Sequence, residues 1–177
     1  MSKIFANGAM RDEDWYVLEP DAELPSGGKV VVPMKRFLET PDVFLNSNHD
    51  LQVLVEPGDN VLDLQPHLSS VAVIGVSFQK FADGRGFTSA RILRERLEFA
   101  GDIRAVGDFI LDQVPLLRRC GVTSFQTTKP EVLKALADGE WPEVTNYLQP
   151  VGTVDEVPAG TRPWARKSLV EGTLKVS

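Results

Sequence analysis

The chain has one cysteine, Cys120, and two histidines, His49 and His67, among 177 residues. One cysteine excludes an intramolecular disulfide, a four-cysteine zinc site and a cysteine-ligated iron–sulfur cluster. No apolar run approaches the roughly 18–20 residues of a membrane span. The first sixteen residues, MSKIFANGAMRDEDWY, lack the apolar stretch of a signal peptide. These absences make the cytoplasm the expected compartment. Basic charge is also in short supply. Nineteen Lys and Arg face 25 Asp and Glu, for a net charge of −6. That excludes generic binding to nucleic acid or anionic lipid, which needs a basic face. The remainder is ordinary for a globular protein: 42% hydrophobic, 25% charged and 8% aromatic. A chain of this length can bury roughly 70% of its unfolded surface, enough for a core without covalent staples.

The acidity is unevenly placed. Residues 1–78 carry 5 basic and 12 acidic side chains, whereas residues 79–120 carry 8 and 6. Seven of the eleven arginines lie between Arg85 and Arg119. Arginine presents a planar fork of donors suited to carboxylate, phosphate or sulfur oxyanions. The competing reading places these arginines on solvated helix faces, beside Glu95, Glu98, Asp102 and Asp112.

Patterning predicts strands at Trp15–Leu18, Lys29–Pro33, Leu51–Val55 and Val71–Phe78. The last, VAVIGVSF, reads as a central strand covered on both faces. Met34–Glu39 reads as a single helical turn. A short helix is expected from Val61 to Leu68, capped by Asn60 and disturbed by Pro66. A helix from about Thr88, as N-cap, to Phe99 follows, closed by Gly101. Then come a strand at Ile103–Val106 and a helix ending near Arg119, with Pro115 in its first turn or at a kink. A strand at Thr123–Gln126 and a helix at Pro130–Ala137, closed by Gly139, complete the pattern. The expected fold is therefore α/β, with repeated strand–helix units and a mainly parallel sheet, either open or part of a barrel. Residues 1–140 are expected to form one domain with its motif-bearing part at 71–140. Residues 141–177, with four prolines, read as an irregular C-terminal arm. Sheet edges left open by so few units would favour a homodimer.

The loop Asp83-Gly84-Arg85-Gly86-Phe87-Thr88-Ser89 joins the strongest strand to the strongest helix. Ligands of parallel α/β folds sit on such strand-end loops. Gly84 and Gly86 permit a close backbone approach, Arg85 adds charge, and Thr88 and Ser89 add hydroxyls. Together with Arg94 and Arg104 they form a candidate anion-binding set. The spacing matches neither a dinucleotide nor a triphosphate loop. The plainer alternative makes Asp83 and Thr88 caps and Arg85 the partner of Asp83. Asp83 and Asp112 are the candidate acid–base groups, with Asp108 and Gln113 weaker. His49 and His67 read as surface or core histidines, Cys120 as a buried helix-end thiol, and Trp15, Trp141 and Trp164 as packing anchors. No cofactor motif and no metal-ligand spacing is evident.

The stretch from Phe78 to Phe125 resembles a bacterial family, the domain of unknown function 934. The resemblance rests on Asp83 to Arg94 (DGRGFTSARILR), Asp102 to Gly107 (DIRAVG), Asp112-Gln113, and Cys120-Gly121-Val122. Asp102 stands where Glu is commoner in that family, and Val122 where Phe is commoner. Genes of this family accompany those of assimilatory sulfite reductase, and its members carry the label of an oxidoreductase of sulfite reduction. The resemblance thus implies a pathway and carries no catalytic residue or cofactor across. Two functions follow as expectations. One is an accessory protein of sulfite reduction that binds a small oxyanion or the sulfite reductase itself. The other is an enzyme on a small anionic substrate, with Arg85, Arg94 and Arg104 as clamps and Asp83 or Asp112 as acid–base.

Overall fold

The computed structural model describes residues 2–19, 21–80, 83–142, 146–147, 156–159 and 162–168. Eight strands form one sheet: β1 (Ser2–Ala6), β2 (Ala9–Glu13), β3 (Trp15–Val17), β4 (Gly28–Pro33), β5 (His49–Val55), β6 (Val73–Phe78), β7 (Asp102–Gly107) and β8 (Ser124–Gln126). Their order is β2-β1-β8-β7-β6-β5-β4-β3. Strands β3 to β8 pair in parallel, and only β1 runs against its neighbours. The outermost strands, β2 and β3, are separated in sequence by Asp14 alone. They act as one long strand whose first half pairs with β1 and whose second half pairs with β4. The sheet therefore curls almost into a barrel, which decides between the open sheet and the partial barrel left open by the sequence.

Side chains alternate across each strand, so the curled sheet has two distinct faces. Val30, Val32, Val53, Val55, Ile74, Val76, Phe78, Ile103, Ala105 and Phe125 belong to one contiguous apolar core. Covering them are α1 (Met34–Glu39), α2 (Pro41–Leu45), α3 (Arg85–Arg91), α4 (Val114–Arg119) and α5 (Pro130–Asp138), through Met34, Phe37, Phe44, Ala90, Leu117, Val132 and Leu136. The concave face takes the alternate residues. There Val31 opposes Gln52, Gly75 opposes Arg104, and Arg104 opposes Ser124. Gly75 is needed at its place, because a Cβ there would lie 2.5 Å from Gln52 Nε2 and 3.1 Å from Leu54 Cδ1. The strand expected to be central lies between β5 and β7; its helix side is apolar, and Val73, Gly75 and Ser77 line the concave side.

Several elements depart from the sequence reading. The N-terminal hairpin β1–β2 is unforeseen; it turns on Asn7 and Gly8, both at positive φ. The short helix expected at Val61–Leu68 is a 310 helix that runs on to Ser70, with Asn60 accepting from the Leu62 amide as its cap. Helix α3 starts at Arg85, so Thr88 lies inside it and does not cap it. The helix then widens into a π turn at Ile92–Arg96, with the Leu97 amide bonded to the Ile92 carbonyl at 2.9 Å. It stops before Phe99, and Glu98 rather than Gly101 takes the left-handed conformation (φ 53°). Gly101 is required for space instead: a Cβ there would meet the Phe99 ring at 2.4 Å and the Ala72 carbonyl at 2.5 Å. Pro115 sits in the first turn of α4, after a 310 turn at Leu111–Gln113. The connections between parallel strands thus differ in kind from one to the next. In the region read as an irregular arm, Asn146–Tyr147, Glu156–Ala159 and Arg162–Ser168 pair as a small antiparallel sheet; the other residues beyond 142, and the side chains of that region, including Trp164, lie outside the described residues.

Candidate functional site

The candidate residues of the sequence fall at three separate places. The first is the loop after β6. Asp83 accepts from the Arg85 backbone amide at 3.1 Å, from Arg85 Nε at 2.9 Å and from Nη2 at 2.6 Å. Hydrogen bonds from the Arg85 side chain, more than its charge alone, lower the Asp83 carboxyl to about 2. The pair is self-satisfied and solvated, with the Arg85 side chain 63% exposed. Gly84 and Thr88 are exposed and Ser89 half-buried. Gly86 is packed so closely on the Phe78 ring that a Cβ would lie 2.6 Å from it. The Asp83–Arg85 pair is the one the plainer reading expected, whereas Thr88, expected as a cap, lies inside the helix.

The second place is Arg94, on the helix-covered side of the sheet. Its guanidinium donates to the carbonyls of Phe99, Gly101 and Gly121. Burial pushes its pKa down, with Asp102 opposing. Arg94 ties the end of its helix to the chain entering β7 and β8. Near the opposite ends of those strands lie the remaining carboxylates. Asp108 pairs with Lys129. Asp112 is exposed in the 310 turn, and the Gln113 side chain accepts from the Ile110 amide at 3.0 Å.

The third place is Arg104, on the concave face at the N-terminal end of the parallel strands. It is 5% exposed. Its Nε donates to Ser124 Oγ at 3.0 Å, Nη1 to Gln52 Oε1 at 2.9 Å and Nη2 to Asp102 Oδ2 at 3.1 Å. Asp102 also accepts from Ser124 at 2.7 Å and from Thr123 at 2.6 Å. A cation with an acceptor on each of its three nitrogens is held in one orientation. Its guanidinium carbon lies 5.1 Å from the centre of the Trp15 ring, and Lys29 Nζ lies 5.5 Å from the same ring. Cations over an indole are attracted by its negative face. Glu13 completes the group, accepting from Trp15 Nε1 at 2.7 Å and from Lys29 at 3.0 Å. Burial raises the Glu13 carboxyl, but the bonds from Lys29 and Trp15 outweigh it, so its pKa lies below the ordinary value.

These residues wall a cleft of about 350 Å³, open to solvent. Lys29, His49, Asp50, Val73 and Arg104 contribute from the strands, and Phe44, Leu45, Ser47 and Ser70 from the connections before β5 and β6. His49 donates from Nε2 to the Pro25 carbonyl at 3.0 Å. Of the candidates drawn from the sequence, Arg104 alone reaches this cleft. Trp15, Lys29, Glu13 and His49 were missed as a group because they lie far apart in the chain. The signal that could have found them is the position of Trp15, Lys29 and His49 at strand starts and of Glu13 just before one, together with the polar residues interrupting the valine runs. Cys120 is buried, its thiol pushed up by that burial. His67 stacks edge-on against Phe37, in keeping with a packing role. Among the described residues no group of three or more His, Cys, Asp or Glu side chains could hold a metal ion, and no helix is long and apolar enough to cross a membrane.

No curated protein and no solved structure matches the chain. A family model does, over residues 52–155, which takes in β5 from Gln52 onward, β6 to β8, the loop after β6, and both Arg94 and Arg104. The chain belongs to that family, described as a bacterial protein of unknown function (DUF934).

Proposed function

We propose that this protein is an accessory protein of assimilatory sulfite reduction that binds a small oxyanion in the cleft beneath Arg104. The observation that carries the anion site is Arg104 itself. Three acceptors fix it, it lines the cleft, and a second cation, Lys29, sits over the same indole ring. A buried, preoriented guanidinium binds an oxyanion without first being ordered, so little conformational entropy is lost on binding. The pathway rests on the gene company of the family. Exposed Tyr16 and Val17 at one end of the long strand, and Val43 on α2, offer apolar surface to a partner such as the reductase.

The enzyme reading, an oxidoreductase or other enzyme on a small anionic substrate, has less support. A carboxyl held at about 2, as Asp83 is, stays ionised near neutrality and is a weak general base. Asp83 and Asp112 both lie beyond the C-terminal ends of their strands, whereas Arg104 lies near an N-terminal end. Electrons would have to come from a bound cofactor or a partner.

The test uses the purified protein with and without the sulfite reductase of the same organism. Co-elution, or a changed rate of sulfite reduction, is the expected result. Absence of both rejects the accessory role. Turnover of a small anion by the isolated protein, lost in Asp83→Asn, would establish the enzyme instead.

A further inference from the structure

Charge is balanced across the cleft. Of its Lys, Arg, Asp and Glu residues, Lys29 and Arg104 are cations, and Glu13 and Asp50 are carboxylates. A bare oxyanion there is attracted by one pair and repelled by the other. The two carboxylates differ in how they are engaged. Glu13 accepts from both Trp15 and Lys29. Asp50 is exposed at the cleft wall, and among the described residues its carboxylate has no hydrogen bond or ion pair. It also shares the concave face with the cations. Asp50 is the register partner of Lys29. It stands two positions before Gln52, whose side chain accepts from Arg104 Nη1. Half-buried Val73, the register partner of Gln52, adds an uncharged patch beside them. The cations keep donors for a ligand. Arg104 has one further N–H on each terminal nitrogen beyond its bonds to Gln52 and Asp102, and Lys29 has donors beyond the one given to Glu13. From these we infer that the cleft takes a small zwitterion, with its oxyanion end on Lys29 and Arg104 and a primary ammonium on Asp50.

This inference rests on the anion site proposed above and adds a second charge to its ligand. An ammonium group turns the carboxylate that opposes a bare anion into a partner. Asp102, another carboxylate on this face, already accepts from Arg104, Ser124 and Thr123. Asp50 is thus the carboxylate left with its acceptors unused. A cleft of about 350 Å³ holds both ends of such a molecule and the short carbon chain between them. A sulfonate and a carboxylate offer Lys29 and Arg104 the same kind of charged oxygen, so the test includes both.

Two matched pairs of probes separate the cases: 2-aminoethanesulfonate against ethanesulfonate, and 3-aminopropanoate against propanoate. Calorimetric titrations of the full chain at about pH 7 and low salt should give each amino compound tighter than its plain partner by roughly 2- to 10-fold. Asp50→Asn should bring each pair level, by weakening the amino compound and strengthening the plain anion. A preference confined to one pair supports the inference and names the oxyanion. Equal affinities within both pairs overturn the zwitterion and leave the anion site standing. Failure of all four to bind overturns both. Ethylammonium bound as tightly as 2-aminoethanesulfonate makes the cleft a cation site and also overturns both. A preference that survives Asp50→Asn but vanishes in Glu13→Gln overturns the role given to Asp50.

Discussion

Glu13 holds the two halves of the long N-terminal strand to the cleft, since its carboxylate binds Trp15 on one side and Lys29 on the other. Its pKa is lowered in the folded chain below the ordinary 4.5. A carboxyl depressed by folding stabilises the native state above its unfolded value, and that contribution fades as the pH falls through the folded one. Glu13→Gln should therefore be less stable than the unaltered protein at neutral pH, with the difference shrinking below about pH 4.5. Urea midpoints measured across that range check it; a difference constant with pH would show that the charge is immaterial. At this scale the sequence is a fair guide to residue types and a poor one to their company. The pairing of Asp83 with Arg85, two positions apart, is local and legible. The pairing of Arg104 with Gln52, 52 positions away, depends on the sheet order and is not.

Elements of the helix-covered layer are the legible ones, because there apolar spacing and packing agree. Helix α1 has the bounds expected of it, and α5 exceeds them by one residue. Strands β3 to β8 are legible too: those expected at Trp15–Leu18, Lys29–Pro33, Leu51–Val55, Val71–Phe78, Ile103–Val106 and Thr123–Gln126 lie within two residues of the observed bounds. What the pattern hides is which side chains of the concave face meet, since Lys29, Gln52, Arg104 and Ser124 come from four different strands. The hairpin β1–β2 escapes because Arg11, Asp12 and Glu13 make β2 look like a charged loop. The Asn7-Gly8 pair is the signal that could have exposed it, being the turn most favoured between two short strands. Helix α3 was misplaced at both ends because its start is set by Gly84 and its finish by a π turn, and neither follows from hydrophobic spacing. Gly75 is where β6 meets the buried Gln52 side chain. Gly75→Ala should cost about 1–3 kcal/mol, the usual range for an overfilled interior. Thermal or urea unfolding would measure it, and a loss under about 0.5 kcal/mol would mean that Gln52 moves freely aside.

Across the whole molecule the sheet closes through the strand from Ala9 to Val17, and this closure shapes the cleft. Glu13 and Trp15 stand on either side of Asp14, where β2 gives way to β3, so the cleft wall and the joint of the barrel are one structure. Removing residues 1–13 would strip β1 and β2 from β8 and leave the buried strand Ser124–Gln126 as an open edge. Such edges recruit other chains. The truncated protein should form higher oligomers or aggregates on size-exclusion chromatography, and a well-behaved monomer would show that β8 does not need its outer neighbour. The family model begins at residue 52, beyond these strands, so the matched segment contains Arg104 and neither Glu13, Trp15, Lys29 nor His49.

Strand β1 lies at one end of the chain, and its partner β8 begins at Ser124, so their ladder joins residues about 120 positions apart. Contacts so distant in sequence slow folding, because a long loop must be closed before they form. Closing the barrel through β1 and β8 therefore carries the largest loop-closure cost of any pairing in the eight-stranded sheet.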